Sequence, residues 1–573
     1  MAIPTPVSAM RRRSTGLWIE AGFVAVRRRL QTEWFGSPPH LLSLAGPSAE
    51  GFAAFPHDVR PAREATGQAL LGGTFVLAGE ALTVGAGGDP WNRPSPTRAF
   101  AVELHRFGWL RHLIALGEDG VREALRLVLE WRAMFGGWNS FSWSGEVLER
   151  RTFNLACAAG ALSEIASETE IQLLASLLAR HGRQILKTTD PAGRAAERAV
   201  VTGVAGSALA GRAGERLITA SMHRLERLLP ITVLPDGGHV SRSPETTLEL
   251  LFDLIALDDG WAQREFQTPE EASRAIDRMS AAIRFFRLPD GRLACFQGGE
   301  ETEPERVDAV LARDDAEARA PIHAPHSGYQ RLSGRAIEVM VDAGKPAPGR
   351  WSVTACATPG ALEVVCNGER LITNVGWSDR APPSGQALRL TGGGSTAALG
   401  NGSAGEPIGG WRAKVLGGRL VGGAREVEVK RTTAESGVWL DVSHDGWLDS
   451  LGLLHERRLF LDAAADELRG EDQFTPATSA TPRVIPYSIR FHLFPEVEGI
   501  IARDNKSVLI RGPSQAGWWL RNDATEVRVE PSVHFRHGRQ VATRQVVLMG
   551  HIRVDKGGRV RWKLTPVEGQ TSA

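Results

Sequence analysis

The chain has 573 residues, which is enough for two or more domains with cores of full size. Lys and Arg total 67 against 66 Asp and Glu, so the net charge of +1 gives no reason to expect nucleic acid as a partner. The four cysteines show neither CxxC nor zinc-site spacing. We therefore expect buried thiols, without a disulfide framework, a metal site or another cofactor.

The first forty residues or so predict a basic helix and show no clear signal peptide. The stretch TGLWIEAGFVAV contains Glu20 and runs directly into the arginines at 27–29, without a small-residue cleavage pattern. No apolar run approaches the length of a membrane-spanning helix. We expect an amphipathic helix that packs on the protein or lies near a membrane, and an atypical leader stays open.

The next segments change from strand to helix character. Residues 41–95 include LLGGTFVLAGEALTV, which predicts two short strands joined by a glycine turn. From residue 96 to about 320 the apolar residues follow the helical period of 3.6, in seven or eight segments with short links. This pattern predicts a ring or stack of antiparallel helical hairpins. We place the first domain at 1–95 and the helical domain at 96–320.

Two loops of similar chemistry interrupt the helical pattern, and each begins with a Pro-Asp-Gly turn. The first is PDGGHVSRSPE at 235–245, and the second is PDGRLACFQGG at 289–299. Asp-Gly favours a turn with positive φ. Ser243 and Pro244 predict a helix start, with Ser243 as the N-cap. His239 and Arg242 then lie beside a helix N-terminus, where polar groups can face an anion. The alternative is that Arg242 pairs with a carboxylate and His239 caps a backbone carbonyl.

From about residue 327 the apolar period becomes two. About fifteen strand candidates, separated by glycine-rich turns, predict a large antiparallel β-sandwich over 327–573. They include WSVTAC at 351–356 and RAKVLG at 412–417. The chain also has sixteen Trp but only two Tyr. Most of the tryptophans are expected in cores, and a minority in a sugar-binding cleft, because flat sugar faces stack on indole rings.

Several motifs, taken in order, resemble the heparinase II/III-like family over most of the chain from Trp91 onward. They are PTRAF with FGWLRH, SGEVLERR, PDGGHVSRSPE, AIDRMSAAIRFFRLPDGRLACFQGG, HSGYQRL, SHDGW, HERRLFL with EDQF, and RFHLFP. The resemblance implies an incomplete α/α toroid followed by a β-sandwich. It also implies lyase activity on uronic-acid polysaccharides, an acidic polysaccharide or oligosaccharide as ligand, and a place in the cell envelope or periplasm. The missing leader favours the cytoplasm instead.

The chain departs from the family pattern at the positions that carry chemistry. The toroid motif resembles DG-x-(Asn or Gln)-x-Glu-x-SP-x-Tyr-His, but here His239 and Ser241 replace the amide and the Glu. Threonines at 246 and 247 replace the Tyr-His pair. In the sandwich motif, Cys356 aligns with the family His, and Asn374 with an Asp that is often a metal ligand.

Three functional interpretations follow. In the first, the chain is a lyase that removes the C5 proton of a uronate and expels the 4-O-glycosyl group. That reaction needs a base, an acid and a neutralised carboxylate. His239 is the candidate base or acid, Arg242 the carboxylate clamp, and Tyr329 the catalytic tyrosine. The expected substrate-binding residues are Trp91, Glu245, His444 and His492.

The second interpretation is a glycan-binding protein that keeps the lyase scaffold without its chemistry. It would retain the cleft, the tryptophans and Arg242 but show no turnover. The third is a glycoside hydrolase, which needs two carboxylates on either side of the bond. Glu245 and Glu249 lie four residues apart on one predicted helix face, which suits that geometry poorly.

Overall fold

A computed structural model describes residues 7–189, 193–312, 320–378, 383–462, 464–477 and 482–567 of the chain. The N-terminal part consists of helices and one small hairpin. Its elements are α1 (Val7–Phe35), α2 (Pro38–Ala45), α3 (Glu64–Leu71), β1 (Thr74–Leu77) and β2 (Glu80–Thr83). Strands β1 and β2 pair antiparallel around Gly79, as the glycine turn predicts.

Helix α1 is not amphipathic as expected, because its inner and outer faces both carry apolar side chains. Ala21 is buried against Leu416 in a small core of its own. The other face leaves large apolar side chains exposed: Trp18, Ile19, Phe23, Val26, Leu30 and Trp34. Their spacing follows the helical period, so they form one stripe. Among the described helices, none combines the length and the apolar character needed to cross a membrane.

The helical domain is an α/α toroid whose innermost helix is fully covered. Its helices are α4 (Arg98–Arg106), α5 (Leu110–Ile114), α6 (Glu118–Phe135), α7 (Gly145–Ile165), α8 (Glu168–Lys187), α9 (Ala195–Ala208), α10 (Gly211–Thr232), α11 (Pro244–Ala262), α12 (Glu270–Phe286) and α13 (Pro304–Leu311). Helix α9 packs against α7, α8, α10 and α11, and every residue from 196 to 208 is buried. Small residues in α9 permit this close packing.

The C-terminal part is an antiparallel β-sandwich of two large sheets. Its strands are β3 (His323–Ala324), β4 (Tyr329–Ser333), β5 (Ile337–Asp342), β6 (Leu362–Cys366), β7 (Glu369–Thr373), β8 (Ala397–Leu399), β9 (Gly405–Pro407), β10 (Leu420–Gly422), β11 (Val427–Ala434), β12 (Gly437–His444), β13 (Leu453–Asp462), β14 (Glu467–Pro476), β15 (Val484–Leu493), β16 (Glu498–Ile501), β17 (Ser507–Arg511), β18 (Gly517–Asn522), β19 (Glu526–Arg536), β20 (Arg539–Arg553) and β21 (Gly558–Pro566). Two short helices, α14 (Gly410–Leu416) and α15 (Leu448–Leu451), interrupt the strands.

The two sheets differ in how they are covered. One has the strand order β11-β12-β13-β14-β21-β18-β17-β16, and the other the order β19-β20-β15-β7-β6-β5-β4-β3, with β8 beside β15. The second sheet is covered on both faces, because Tyr329, Met340 and Val365 belong to the toroid core while Val339 and Val364 belong to the sandwich core. This explains why β6 is buried at every residue and does not alternate.

The structure confirms the predicted class, a helical toroid followed by a sandwich, and corrects two predicted strands. Residues 351–356 begin in a 3₁₀ turn (Gly349–Val353), and residues 412–417 lie largely within helix α14. Both stretches are short apolar runs, which strand and helix periods fit about equally well. The four cysteines are free; Cys295, Cys356 and Cys366 are buried as expected, whereas Cys157 is only partly buried.

Candidate functional site

A polar cleft lies between the toroid and the sandwich. We call it the main cleft; its volume is about 420 Å³. Its polar lining consists of Arg60, Arg63, Glu103, Arg106, Arg111, His112, Glu146, Arg150, Asn154, Arg194, Glu197, Glu245, Thr246, Glu249, Asp253, Glu300, Glu301, Glu303, Arg306, Thr354, Ser378 and His537. Seven arginines therefore face nine carboxylates, so the main cleft as a whole is not a cationic surface.

Ion pairs between arginines and carboxylates hold one side of the main cleft in place. Arg60 reaches Asp58, Glu249 and Asp253 at 2.8 to 2.9 Å. Arg150 also binds Asp253, and Arg306 also binds Glu249. Burial raises the pKa of Glu249, but Arg306 and Arg60 outweigh it and hold that pKa well below its usual range. Glu249 is therefore ionised, and its charge is already neutralised by protein.

A second cavity of about 280 Å³ adjoins the main cleft, and we call it the side cavity. The two share Glu146, Arg194, Glu197, Thr246 and Thr354 in their lining. The side cavity is further bordered by Gly193, His239, Ser241, Trp351, Val353, Trp377, Gln386, Arg389, Gly417 and Gly418. Toroid and sandwich residues therefore meet around one continuous space.

Five buried polar atoms on residues that border the side cavity have no hydrogen-bond partner within the described parts of the chain. They are Glu197 Oε2, His239 Nε2, Trp351 Nε1, Thr354 Oγ1 and Trp377 Nε1. Leaving such a group unsatisfied costs roughly 1–3 kcal/mol, and native proteins contain few of them. Because all five atoms belong to residues around one cavity, this cavity is a candidate site for a ligand or for water.

His239 borders the side cavity as a neutral ring. Its Nδ1 accepts from the backbone N–H of Ser241 at 3.0 Å and lies 2.7 Å from the Ser241 hydroxyl. Burial and the nearby Arg194 lower the pKa of His239 to about 3, so the ring is neutral. Because Nδ1 accepts, the single ring proton lies on Nε2. That nitrogen is 3.6 Å from Glu197, whose own pKa burial raises.

Helix α11 and the first Asp-Gly loop explain why His239 lies there. Ser243 caps α11 by accepting from the Thr246 N–H at 3.2 Å, and Pro244 follows at the first helical position. The Thr247 hydroxyl accepts from the His239 N–H at 3.0 Å. The Asp236 carboxylate accepts from Ser327 of the sandwich. The loop is thus fixed to both domains.

Arg242 joins the toroid to the sandwich and does not border either cavity. Its guanidinium is buried and donates to the carbonyls of Ser327, Gly328, Gly344 and Lys345, and to the Asp342 carboxylate. Its backbone is left-handed, with φ of 66°. The expected carboxylate clamp therefore has its donors directed at protein, and a glycan cannot reach them in this arrangement.

Tyr329 is buried in the core next to Arg242. The ring is completely buried, and its hydroxyl donates to the Arg242 carbonyl at 2.6 Å. Burial raises the pKa of Tyr329 well above its usual value. The three residues expected to act in catalysis are thus neighbours, but only His239 borders a cavity.

The four residues expected to bind substrate occupy different places. Glu245 lines the main cleft and accepts from the Glu300 N–H at 3.0 Å. Trp91 is buried in the toroid core, where its Nε1–H donates to Leu127. His444 and His492 are buried in the sandwich and line neither cavity. The hydrogen-bond partners of the two histidines explain why they lie in the interior.

The two sandwich histidines are satisfied by protein groups. His444 Nε2 lies 2.9 Å from His455 Nδ1, and His455 Nε2 lies 2.8 Å from Asp472. His492 contacts the Ser532 hydroxyl at 2.7 Å and the Gly392 carbonyl at 3.0 Å. Burial lowers the pKa of His492 to about 3. These rings therefore form hydrogen bonds to protein groups inside the sandwich.

The positions that align with the family motif are also engaged by protein. The Cys356 N–H donates to Gln297 at 2.9 Å, and burial raises the pKa of its thiol to about 11. Asn374 accepts from the Ser395 N–H and donates to Glu363. No group of three or more His, Cys, Asp or Glu that could hold a metal ion is found in the described ranges.

Sequence reasoning did not identify several residues that line these cavities. They are Glu197, Trp351, Thr354, Trp377, Arg111 and His537. The excess of Trp over Tyr was a signal that some indoles face a ligand, but it could not say which. Trp351 and Trp377 lie in turns that border the side cavity. Arg389 donates to nearby backbone carbonyls and stacks on Trp377, with 4.7 Å between the guanidinium carbon and the ring centroid.

Known proteins share this architecture. Residues 316–563 match the family described as heparinase II/III-like, C-terminal. The crystal structure of heparinase III superposes with a TM-score of 0.65 at 12% identity, covering 86% of this chain and 81% of that one. Heparan sulfate lyase HepC from Pedobacter heparinus superposes with a TM-score of 0.55 at 16% identity, covering 90% and 85%. At these identities the likeness concerns the fold.

The chain belongs to the heparinase II/III-like family. Within it, the chain is similar to FtsZ-localized protein C from Caulobacter vibrioides (strain NA1000 / CB15N). The two are 52% identical over 546 residues, which is 94% of each chain.

Proposed function

We propose that this protein binds a polysaccharide in the side cavity and main cleft without cleaving it. The observation that carries the proposal is the set of five unpartnered polar atoms around the side cavity, two of them on indole rings. Sugar rings present hydroxyls for such atoms and flat faces for indoles. Together the two cavities reach the size range of ligand sites.

The donors and acceptors of the side cavity suit hydroxyl groups. Two indole N–H groups and His239 Nε2–H can only donate, the Thr354 hydroxyl can do both, and Glu197 can accept. A hydroxyl both donates and accepts, so one sugar ring can satisfy several of these groups at once. Binding would then recover the desolvation cost that the unliganded cavity carries.

The residues expected to act in elimination supply no base in the side cavity. His239 cannot take a proton on Nε2, because that nitrogen carries the ring proton, and its Nδ1 already accepts from Ser241. The Tyr329 hydroxyl and the Arg242 guanidinium are both directed at protein. These placements support the second interpretation of the sequence, a glycan-binding protein on a lyase scaffold.

The lyase interpretation has one residue in its favour, His537 in the turn between β19 and β20. Its ring is 57% exposed, lines the main cleft and has Nδ1 3.2 Å from Glu303. A carboxylate on one ring nitrogen can orient a histidine for proton transfer on the other. If turnover exists, we assign the base to His537. A hydrolase is less well supported, since Glu249 is held ionised by two arginines and offers no proton.

Binding and turnover can be measured on the same protein. Calorimetry against a panel of acidic and neutral oligosaccharides should show binding that Trp351→Phe weakens, because phenylalanine keeps a ring but lacks the N–H. Trp439→Phe is the control, since Trp439 is exposed on β12 and lines neither cavity. Absorbance of the unsaturated uronate product should stay flat.

Two results would overturn the proposal. Product absorbance that His537→Ala removes would establish a lyase with its base in the main cleft. A complete lack of binding across the panel, with the protein folded, would remove the glycan from the function altogether.

We further propose that the protein co-localises with FtsZ, on the strength of its 52% identity to a protein named for that property. A fluorescent fusion should coincide with labelled FtsZ in the cells that make the protein, and should disperse when FtsZ is depleted. A fluorescence pattern that ignores FtsZ depletion would contradict this. The envelope location implied by the family resemblance stays a prediction that the same images test.

A further inference from the structure

Arg111 on α5 borders the main cleft and is poorly satisfied for a largely buried arginine. Its nearest carboxylate atom is Asp58 Oδ2, at 3.7 Å, which is too long for a good hydrogen bond. Its Nε is buried and has no partner within the described residues. A third of the side chain is exposed, at 33%, and the residue lines the cavity.

Within the ion-pair cluster that includes Arg111, guanidiniums outnumber carboxylates by one, although the main cleft as a whole has more carboxylates. The local arginines are Arg60, Arg111, Arg150 and Arg306, whereas the local carboxylates are Asp58, Glu249 and Asp253. Each of these carboxylates is already bound at short distance by an arginine other than Arg111.

Burial lowers the pKa of Arg111, and the repulsion from Arg60 and Arg306 adds to that effect, although Asp58 and Glu249 oppose it. An anion placed beside Arg111 would relieve both the desolvation and the repulsion.

We infer that Arg111 binds an anionic substituent of the polysaccharide and so sets a preference for acidic over neutral chains. This inference rests on the proposed function, because it concerns a second position in the same cleft. Arg111 does not line the side cavity, so the charged sugar is a different unit from the one held between the tryptophans. A guanidinium can bind a carboxylate or a sulfate with two parallel hydrogen bonds.

The test compares three polymers with wild-type protein and Arg111→Gln: polygalacturonate, its carboxyl-reduced neutral form, and dextran sulfate. We expect Arg111→Gln to weaken binding of polygalacturonate roughly ten- to hundredfold, as for loss of a hydrogen bond to a charged group. Binding of the neutral polymer should stay within about twofold, since it makes no such bond. A loss confined to dextran sulfate would assign the site to sulfate instead.

Two further variants separate recognition from general charge and from folding. Arg122→Gln removes the same charge from an exposed helix position outside the cleft and should change nothing. Arg111→Lys keeps the charge but lacks the paired N–H donors of the guanidinium, so it should give intermediate affinity for the acidic polymers. It also serves as the test variant if Arg111→Gln does not fold.

The outcomes distinguish this inference from the proposed function. If Arg111→Gln, or Arg111→Lys in its place, weakens acidic and neutral polymers equally, the residue shapes the cleft and does not recognise charge. If wild-type protein binds all three polymers equally, the anion preference is wrong while glycan binding stands. If it binds none of them, the proposed function fails and this inference falls with it.

Discussion

Arg242 of the toroid and Asp342 of the sandwich form a buried ion pair that joins the two domains. Asp342 also accepts from the Gln297 side chain at 2.6 Å. Gln297 in turn accepts from the Cys356 N–H at 2.9 Å. The two Asp-Gly loops of the toroid thus meet the sandwich through one polar network, which sets the position of the cleft between them.

Arg242→Ala is expected to destabilise the protein strongly. It leaves the Asp342 carboxylate buried without its cation, and losing one partner of a buried pair costs about 3–5 kcal/mol. Urea unfolding followed by circular dichroism measures the change in the free energy of unfolding. The control Arg274→Ala breaks an exposed pair with Glu270 and should cost at most about 1 kcal/mol. Equal effects of the two variants would contradict the joining role of Arg242.

Thr354→Val should make the free protein more stable while weakening its affinity for glycan. The Thr354 hydroxyl is buried without a partner, so replacing it with a methyl group removes a desolvation cost of roughly 1–3 kcal/mol. Binding should weaken severalfold, because a hydrogen bond to the sugar is lost. Unfolding curves and calorimetry on the same sample measure both effects.

The matched control for that prediction is Thr247→Val. Its hydroxyl donates to the Ser243 carbonyl and accepts from the His239 N–H. Losing both bonds should therefore lower stability. If Thr354→Val lowers stability as Thr247→Val does, Thr354 is satisfied within the protein and the side cavity is not a ligand site.

Stability is expected to fall as the pH drops below about 6.5. Burial lowers the pKa of His239 and of His492 to about 3, whereas an unfolded histidine titrates near 6.5. Between these values the unfolded state binds more protons, so acid favours unfolding. Each such histidine contributes about 1.4 kcal/mol of loss between pH 7.5 and 5.5. Urea unfolding at the two pH values should show a smaller loss for His492→Gln than for wild type.

Gly237→Ala should disrupt the first Asp-Gly loop. Gly237 has φ of 84°, and an added Cβ would lie 1.8 Å from the Arg278 carbonyl oxygen. Backbone would have to move, so we expect loss of several kcal/mol of stability and of glycan affinity through displaced His239. Gly137→Ala is the control, because its Cβ would meet nothing within 4 Å. A well-folded Gly237→Ala protein with full affinity would contradict this account.

The sequence by itself determined the class of fold and the local geometry of its loops. The change of apolar period from 3.6 to two separates the toroid from the sandwich, and the structure has that change. The Asp-Gly turns at 236 and 290 adopt the positive φ that their glycines predict, and Ser243 caps α11 as predicted. These properties depend on residues close together in the chain, so a pattern can carry them.

Only the tertiary structure decided which polar residues face a cavity. Arg242 and Tyr329 were chosen for chemistry that a side chain can perform only when it is exposed to substrate, yet both are buried where the toroid and the sandwich meet. Trp351, Trp377 and Glu197 come from segments far apart in the chain and meet around the side cavity. Burial and hydrogen-bond partners depend on which distant segments pack together, and no local period in the sequence encodes that.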